Sequence, residues 1–418
     1  MFWPTSSRSS SRRWTAGGSA TTSSSRPCRR ADHMACKPLF IFGLARSGTN
    51  LLARMLDRHP DVTVALDPYL PLFRSLRNAL VASRAAKEVR QRFSSSAPFQ
   101  DYYFDPDGAA LLDLMLAGEA NLPLDQDELK VLRLKAGERA SLESPTLGAQ
   151  MSGLAGEDYG QLFRSGLDLV AGLKTGVRWA GCKEVWVMEF VPLLARLFPE
   201  ARFFALERDP RAIVASLLAM AEKDPTQAAH APSYLRHWRK QVALTHRFAT
   251  DPLLAGRFRS VSFEQLATHP EHEARQLCDA LNIDFHPEML RLSADGWRGN
   301  SSFDHGGKDV YAETVDRWRK VLPTRVVQAA DYLCGPDMAL TPYRPTTSPK
   351  ADEVLTYLEE AGIEAGSWRS DSGDLLVAFG GEMVRRMLLD TGCEPEESLV
   401  RRCFLFKDIL GSLRQYAA

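Results

Sequence analysis

The chain has 418 residues, with 52 Lys plus Arg against 52 Asp plus Glu, and is 44% hydrophobic and 25% charged. Zero net charge gives no overall field for nucleic acid or an anionic membrane, and the length suits one large α/β domain with a smaller appendage. Seven cysteines without a C-x-x-C pair argue against zinc and a disulfide framework, and fit a reduced compartment.

Residues 1–36 read as a disordered tail: the first 33 are rich in Ser, Thr and Arg, with Asp32 the only acid. A true start at Met34 and an organelle transit peptide are the alternatives. No stretch approaches a membrane span, so the expected location is cytoplasmic.

The run Leu39-Phe40-Ile41-Phe42 reads as a buried strand, and Leu51, Leu52, Met55 and Leu56 form a helical stripe. Between them lies Gly43-Leu44-Ala45-Arg46-Ser47-Gly48-Thr49. Glycines five residues apart let the backbone curl with its N–H groups inward, and the helix that follows adds the positive end of its dipole. The loop is therefore an anion site. A nucleoside triphosphatase would continue Gly-Lys-Ser or Gly-Lys-Thr, whereas Thr49 follows Gly48 here and Arg46 is the loop's single cation. It suits a 5′-phosphate-type anion and is poorly equipped to split a γ-phosphate.

Val62 to Leu66 predicts a second strand ending at Asp67-Pro68. Residues 70–175 hold helical stretches and a polar, aromatic patch from Ser94 to Tyr103, read as a lid, an acceptor-binding wall or a surface excursion. Val177–Lys183 and Arg202–Leu206 predict further strands, the second followed by an N-cap at Asp209 and a helix from Pro210. Phe258–Phe263 predicts a strand, and Ala274, Leu277, Cys278 and Leu281 the buried stripe of a helix starting near Pro270. Alternating strands and helices predict a parallel sheet covered on both faces, with ligands at the carboxyl ends of its strands. After a Pro- and Thr-rich linker at 342–349, residues 346–418 predict a small α/β or mostly helical module. Its elements are a helix, a strand at Leu375–Phe379, and one long helix lined by Leu399, Cys403, Phe406, Ile409, Leu410 and Leu413.

Arg208, at a strand end, and Ser216, two turns into the next helix, can hold a second phosphate by charge-assisted hydrogen bonds. Taken with the first loop, they describe a ligand phosphorylated at two ends.

Loop and pair together resemble the sulfotransferase family, which uses 3′-phosphoadenosine 5′-phosphosulfate (PAPS). Leu44–Thr49 is similar to the family's 5′-phosphosulfate loop, and Glu207-Arg208-Asp209-Pro210-Arg211-Ala212-Ile213-Val214-Ala215-Ser216 to its 3′-phosphate motif. The likeness runs from Lys37 to Tyr343, includes Phe263-Glu264-Gln265-Leu266, and favours the tyrosylprotein and carbohydrate branch over the cytosolic phenol and steroid branch. It implies a P-loop-like fold over 37–345 and PAPS as co-substrate, without a metal. It places Arg46, Ser47, Gly48, Thr49 and Asn50 on the 5′ side and Arg208 and Ser216 on the 3′ phosphate. Asp67, 21 residues after Arg46, stands where the branch has its catalytic glutamate, one methylene shorter. Lys183 matches a lysine that stabilises the transferring group, and Ser302, Lys308 and Arg317 match a late loop over the nucleotide.

His59 is the rival base, although before Pro60 an imidazole commonly caps carbonyls. The acceptor stays open among carbohydrate, lipid, peptide and small molecule, with neutrality weighing against a large polyanion unless a local basic patch overrides it. Nucleic acid is not expected as a partner; a homodimer is allowed. A P-loop kinase or nucleotidase and a non-catalytic adenosine-bisphosphate-binding scaffold are the competing readings.

Overall fold

The structure, a computed structural model, describes residues 36–221, 230–292, 312–361, 375–392 and 394–417. The N-terminal tail, Ser302 and Lys308 lie outside the described residues. Residues from Cys36 onward form one compact unit.

Its centre is a five-stranded, all-parallel sheet: β1 (Lys37–Gly43), β2 (Val62–Leu66), β3 (Trp179–Val185), β4 (Arg202–Glu207) and β5 (Phe258–Ser262), in the order β2-β3-β1-β4-β5. Alternation along β1 sends Phe40 and Phe42 to one apolar core and Leu39 and Ile41 to the other, so both faces are covered. Helix α1 (Thr49–Asp57) and the Pro270–Leu281 helix cover the second face through the predicted stripes. The strand order reverses beside β1. The loop leaving β1 therefore sits at the topological switch point, where open α/β sheets place ligands.

Residues 70–175 are helical throughout their regular parts, beginning with α2 (Leu70–Arg84) and including helices Gln126–Ser141 and Tyr159–Ala171. They pack on the Phe40–Phe42 face. The third strand starts two residues later than expected, at Trp179, and runs on to Val185.

Two expectations for the C-terminal residues are corrected. Leu375–Phe379 is the first part of a helix, Leu375–Asp390, not a strand. A five-residue apolar run has no period of its own, and the burial that follows is helical: Phe379, Glu382, Arg385 and Leu388 are buried while Leu376, Met383 and Met387 face out. The single long final helix is instead two, Glu397–Phe404 and Lys407–Ala417, broken at Leu405, whose φ is 64°. The break keeps Leu405 and Phe406 buried, along with Cys403, Ile409 and Leu410.

Buried ion pairs join these helices to the rest. Arg239, in the Ala231–Thr250 helix, holds Glu382 with both terminal nitrogens, at 2.5 and 3.0 Å, and Arg385 holds Asp337 at 2.7 and 2.8 Å. Removing one partner strands a buried charge. Glu382→Ala is expected to lower the unfolding free energy by about 3–5 kcal/mol, read by urea denaturation; a change indistinguishable from zero would show that Arg239 finds another partner.

Candidate active site

The loop after β1 adopts the anion-cradling form anticipated from its glycines. Arg46 and Gly48 both have positive φ, 74° and 100°, and the Ser47 N–H donates to the Leu44 carbonyl. These reversals turn successive amides to one side of the curl. A Cβ on Gly43 would stand 2.6 Å from Thr49 Cγ2, and one on Gly48 would stand 2.4 Å from the Phe263 ring, so neither position accepts a side chain. Ser47 is buried, and its Oγ has no hydrogen-bond partner among the described residues.

The second motif lies directly against the first. Arg208 leaves the end of β4 and its Nη1 donates to the Arg46 carbonyl at 3.1 Å, while Nη2 donates to the Thr314 carbonyl at 3.4 Å. Its guanidinium lies 3.9 Å over the Phe263 ring, the same ring that Gly48 faces. Burial pushes Arg208 down to about 10, so it remains charged at neutral pH, and its Nε is buried without a hydrogen-bond partner among the described residues. Arg46 Nε in turn donates to Ser216 Oγ at 3.1 Å. Arg46, Arg208 and Ser216 thus interlock the two motifs.

Local chemistry explains why the Arg208 turn holds its shape. Asp209 Oδ1 accepts from the Arg211 N–H, capping the helix Pro210–Ala221 as expected. Glu264 Oε1 accepts from the Asp209 N–H at 3.0 Å, and its other oxygen accepts from Tyr343 and Ser262. Here β5 ends one residue early, at Ser262, whose hydroxyl caps the next helix and frees Phe263 and Glu264 to face β4's exit.

The catalytic candidates meet at the neighbouring strand ends. Register pairs Leu66 of β2 with Lys183 of β3, and the Asp67 N–H donates to the Lys183 carbonyl at 2.8 Å. Asp67 has φ 50°, and its Oδ2 is ion-paired to Lys183 Nζ. Lys183 is 2% exposed. Asp67 Oδ1 is buried and has no partner among the described residues. His59 stands apart: Nδ1 accepts from the Asp61 N–H and Nε2 donates to the Asp284 carbonyl, in the loop after the Pro270–Leu281 helix, rather than to the end of its own helix. Arg317 precedes the short helix Trp318–Val321, in the segment that reaches Arg208 through Thr314. Asn50 is the second residue of α1.

A family model described as "Sulfotransferase family" matches residues 38–287, more than half of the chain. The chain belongs to the sulfotransferase family. It is 24% identical over 322 residues to protein-tyrosine sulfotransferase 1 of Danio rerio, covering 74% of this chain and 73% of that one. It is 24% identical over 185 residues to carbohydrate sulfotransferase 3 of Rattus norvegicus, covering 39% of this chain and 38% of that protein. Among solved structures it is similar to the sulfotransferase domain from the curacin biosynthetic pathway, at 16% identity, a TM-score of 0.41, and coverage of 79% and 98%.

Three residues around this candidate site were given no role by the sequence. Arg139, from the Gln126–Ser141 helix, donates from Nε to the Asp67 carbonyl at 3.2 Å, with Nη2 3.8 Å from Asp67 Oδ2. Phe263 underlies Arg208. Glu184 is fully buried, and its Oε1 accepts from the Tyr69 N–H, fastening the turn that carries Asp67. The pattern Gly-Cys-Lys-Glu held Glu184 in view, but only the fold puts its carboxyl under residue 69.

Burial drives the Glu184 carboxyl well above the usual carboxylate range, and the charge of Asp67 adds to the shift. A carboxyl raised on folding contributes stability fully below its unfolded value near 4.5 and loses it as pH rises through the folded one. Glu184→Gln keeps the acceptor oxygen for Tyr69 but cannot ionise. Relative to it, the parent protein is expected to lose stability from pH 4.5 upward, at up to about 1.4 kcal/mol per pH unit. Parallel curves in denaturant titrations across that range would refute this.

Proposed function

We propose that this sulfotransferase moves a sulfuryl group from PAPS to an acceptor hydroxyl by in-line displacement, with Asp67 as general base. The observation that carries the reading is the 3.1 Å hydrogen bond from Arg208 to the Arg46 carbonyl, which sets the two anion motifs side by side at the β1 and β4 exits. The uncommitted donors fit the ligand: Ser47 Oγ and Arg208 Nε are buried polar groups suited to phosphate oxygens. The 5′-phosphate end would lie in the amide curl of residues 46–49 and the 3′-phosphate against Arg208 and Ser216, with Ser302, Lys308 and Arg317 as the late loop. Arg208 and Ser216 would thereby select PAPS over nucleotides lacking a 3′ phosphate.

At the transfer step the acceptor oxygen bonds to sulfur as the sulfur–oxygen bond to the 5′-phosphate breaks, leaving a sulfate ester and adenosine 3′,5′-bisphosphate. Asp67 Oδ1 takes the hydroxyl proton while Oδ2 stays on Lys183. Lys183, Arg46 and the loop amides stabilise charge on the transferring group and on the departing phosphate. Positioning and fixed charge supply the rate, as in phosphoryl transfer, and nothing in this scheme requires a metal. Two relatives are named for protein tyrosine and for carbohydrate, both of which offer hydroxyls, which supports a hydroxyl acceptor. Action in the cytoplasm is part of the same proposal.

The test is transfer of labelled sulfate from PAPS, with calorimetry of adenosine 3′,5′-bisphosphate alongside. Asp67→Asn is expected to lower kcat by about 10²–10⁴-fold with nucleotide affinity retained. Arg208→Gln is expected to weaken the bisphosphate by about 10–100-fold, the value of hydrogen bonds to a charged group. A protein that binds neither PAPS nor the bisphosphate would overturn the assignment.

A further inference from the structure

The peptide joining Arg208 to Asp209 is clamped from several sides. Trp238 Nε1, from the Ala231–Thr250 helix, donates to the Arg208 carbonyl at 2.9 Å, and the Asp209 N–H is held by Glu264. The Asp209 carboxylate takes Nε and Nη2 of Arg211 at 2.9 and 2.7 Å, while Nη1 of Arg211 donates to Asp331 at 3.2 Å. Asp331, from the helix Thr324–Met338, accepts in turn from the backbone N–H groups and hydroxyls of Thr346 and Thr347. These last residues, like Asp331 and Tyr343, lie beyond residue 287, where the family model ends.

Tyr343 has the most particular place among them. Its side chain is buried beside Trp238, with ring centroids 6.5 Å apart, and its hydroxyl donates to Glu264 Oε2 at 2.6 Å. Burial, with the Glu264 charge adding to it, pushes the phenol well above its usual range, so it stays a donor at any working pH. Glu264 is near enough to Arg208 to favour its charge, yet both carboxylate oxygens are engaged by other donors. Oε1 accepts from the Asp209 N–H, and Oε2 accepts from the hydroxyls of Tyr343 and Ser262. Arg208 Nε meanwhile is buried without a hydrogen-bond partner among the described residues. A carboxylate released onto that guanidinium would form a charge-assisted pair with it and compete with an anionic ligand.

We propose that Tyr343 is a positioning residue for recognition of the 3′ phosphate: its hydroxyl holds the Glu264 carboxylate off Arg208, which leaves the guanidinium to the ligand. Selectivity for a nucleotide phosphorylated at the 3′ position is thereby set from the C-terminal part of the chain. The inference rests on the function proposed above and goes beyond it, since Tyr343 acts only through Glu264.

Displacement calorimetry compares adenosine 3′,5′-bisphosphate with adenosine 5′-monophosphate, and the ratio of their dissociation constants isolates the 3′ phosphate. Tyr343→Phe removes one oxygen and keeps the packed ring. It is expected to weaken the bisphosphate by about three- to tenfold, the value of one hydrogen bond, with the monophosphate within about twofold of the parent as evidence of an intact fold. In a Glu264→Gln background, where no carboxylate is left to compete, the same substitution is expected to leave the ratio unchanged. An unchanged ratio in Tyr343→Phe alone, an equal loss for both nucleotides, or a loss that persists in the Glu264→Gln background would overturn the proposal. Failure of the underlying reading would show itself differently, in a parent protein that binds the two nucleotides equally or binds neither, and would take this proposal with it.

Discussion

A guanidinium has been taken out of water at the exit of β4, and the rest of the site is arranged around it. Burying Arg208 costs hydration, as its lowered pKa reflects. Two backbone carbonyls and the face of Phe263 offset part of that cost, and the nearby Glu264 carboxylate supports the charge. Each of these partners is itself tied down. The Arg46 carbonyl belongs to the curled loop after β1, and Glu264 collects the Asp209 N–H, Ser262 and Tyr343. A side chain with four rotatable bonds is thereby held in one place, and a charged pocket that does not reorganise is what stabilises a transition state cheaply.

The regular architecture was legible because it depends on short-range physics. Apolar runs and i, i+3, i+4 stripes located all five strands, β2 to the residue and β1 within two residues at its start, and the glycines of the first loop announced its curl. The C-terminal helices were less legible. Leu375–Phe379 is too short to carry a period, and its helicity is set by the partners it reaches, Glu382 on Arg239 and Arg385 on Asp337. In the candidate site, Arg46, Arg208 and Ser216 could be named from spacing, and the fold brings them together. Arg139 could not, since 72 residues separate it from Asp67 and the two meet only once the 70–175 helices pack on the sheet. Ser302 and Lys308 lie outside the described residues.

Asp67 and Lys183 show how strand register can bring two charged side chains together. Parallel pairing puts Leu66 opposite Lys183, so the next residue of β2 emerges beside the lysine without any long loop to position it. The left-handed backbone at Asp67 then turns its carboxylate onto the amine, and Glu184 anchors the turn from below through Tyr69. The ion pair of Lys183 with Asp67 and the anchoring of Tyr69 by Glu184 both follow from one pair of strand ends. Sites built this way inherit the rigidity of the sheet rather than that of a loop.

Phe263 also links the two candidate anion motifs. Its ring supports Arg208 on one side and fills the space where a Cβ of Gly48 would stand. The motifs therefore do not vary independently: any residue larger than glycine at 48 must push the ring, and the ring carries the arginine with it. Energies measured by substituting the two motifs one at a time should not sum to the effect of substituting both. Drift at either position during evolution would have to be matched at the aromatic residue between them.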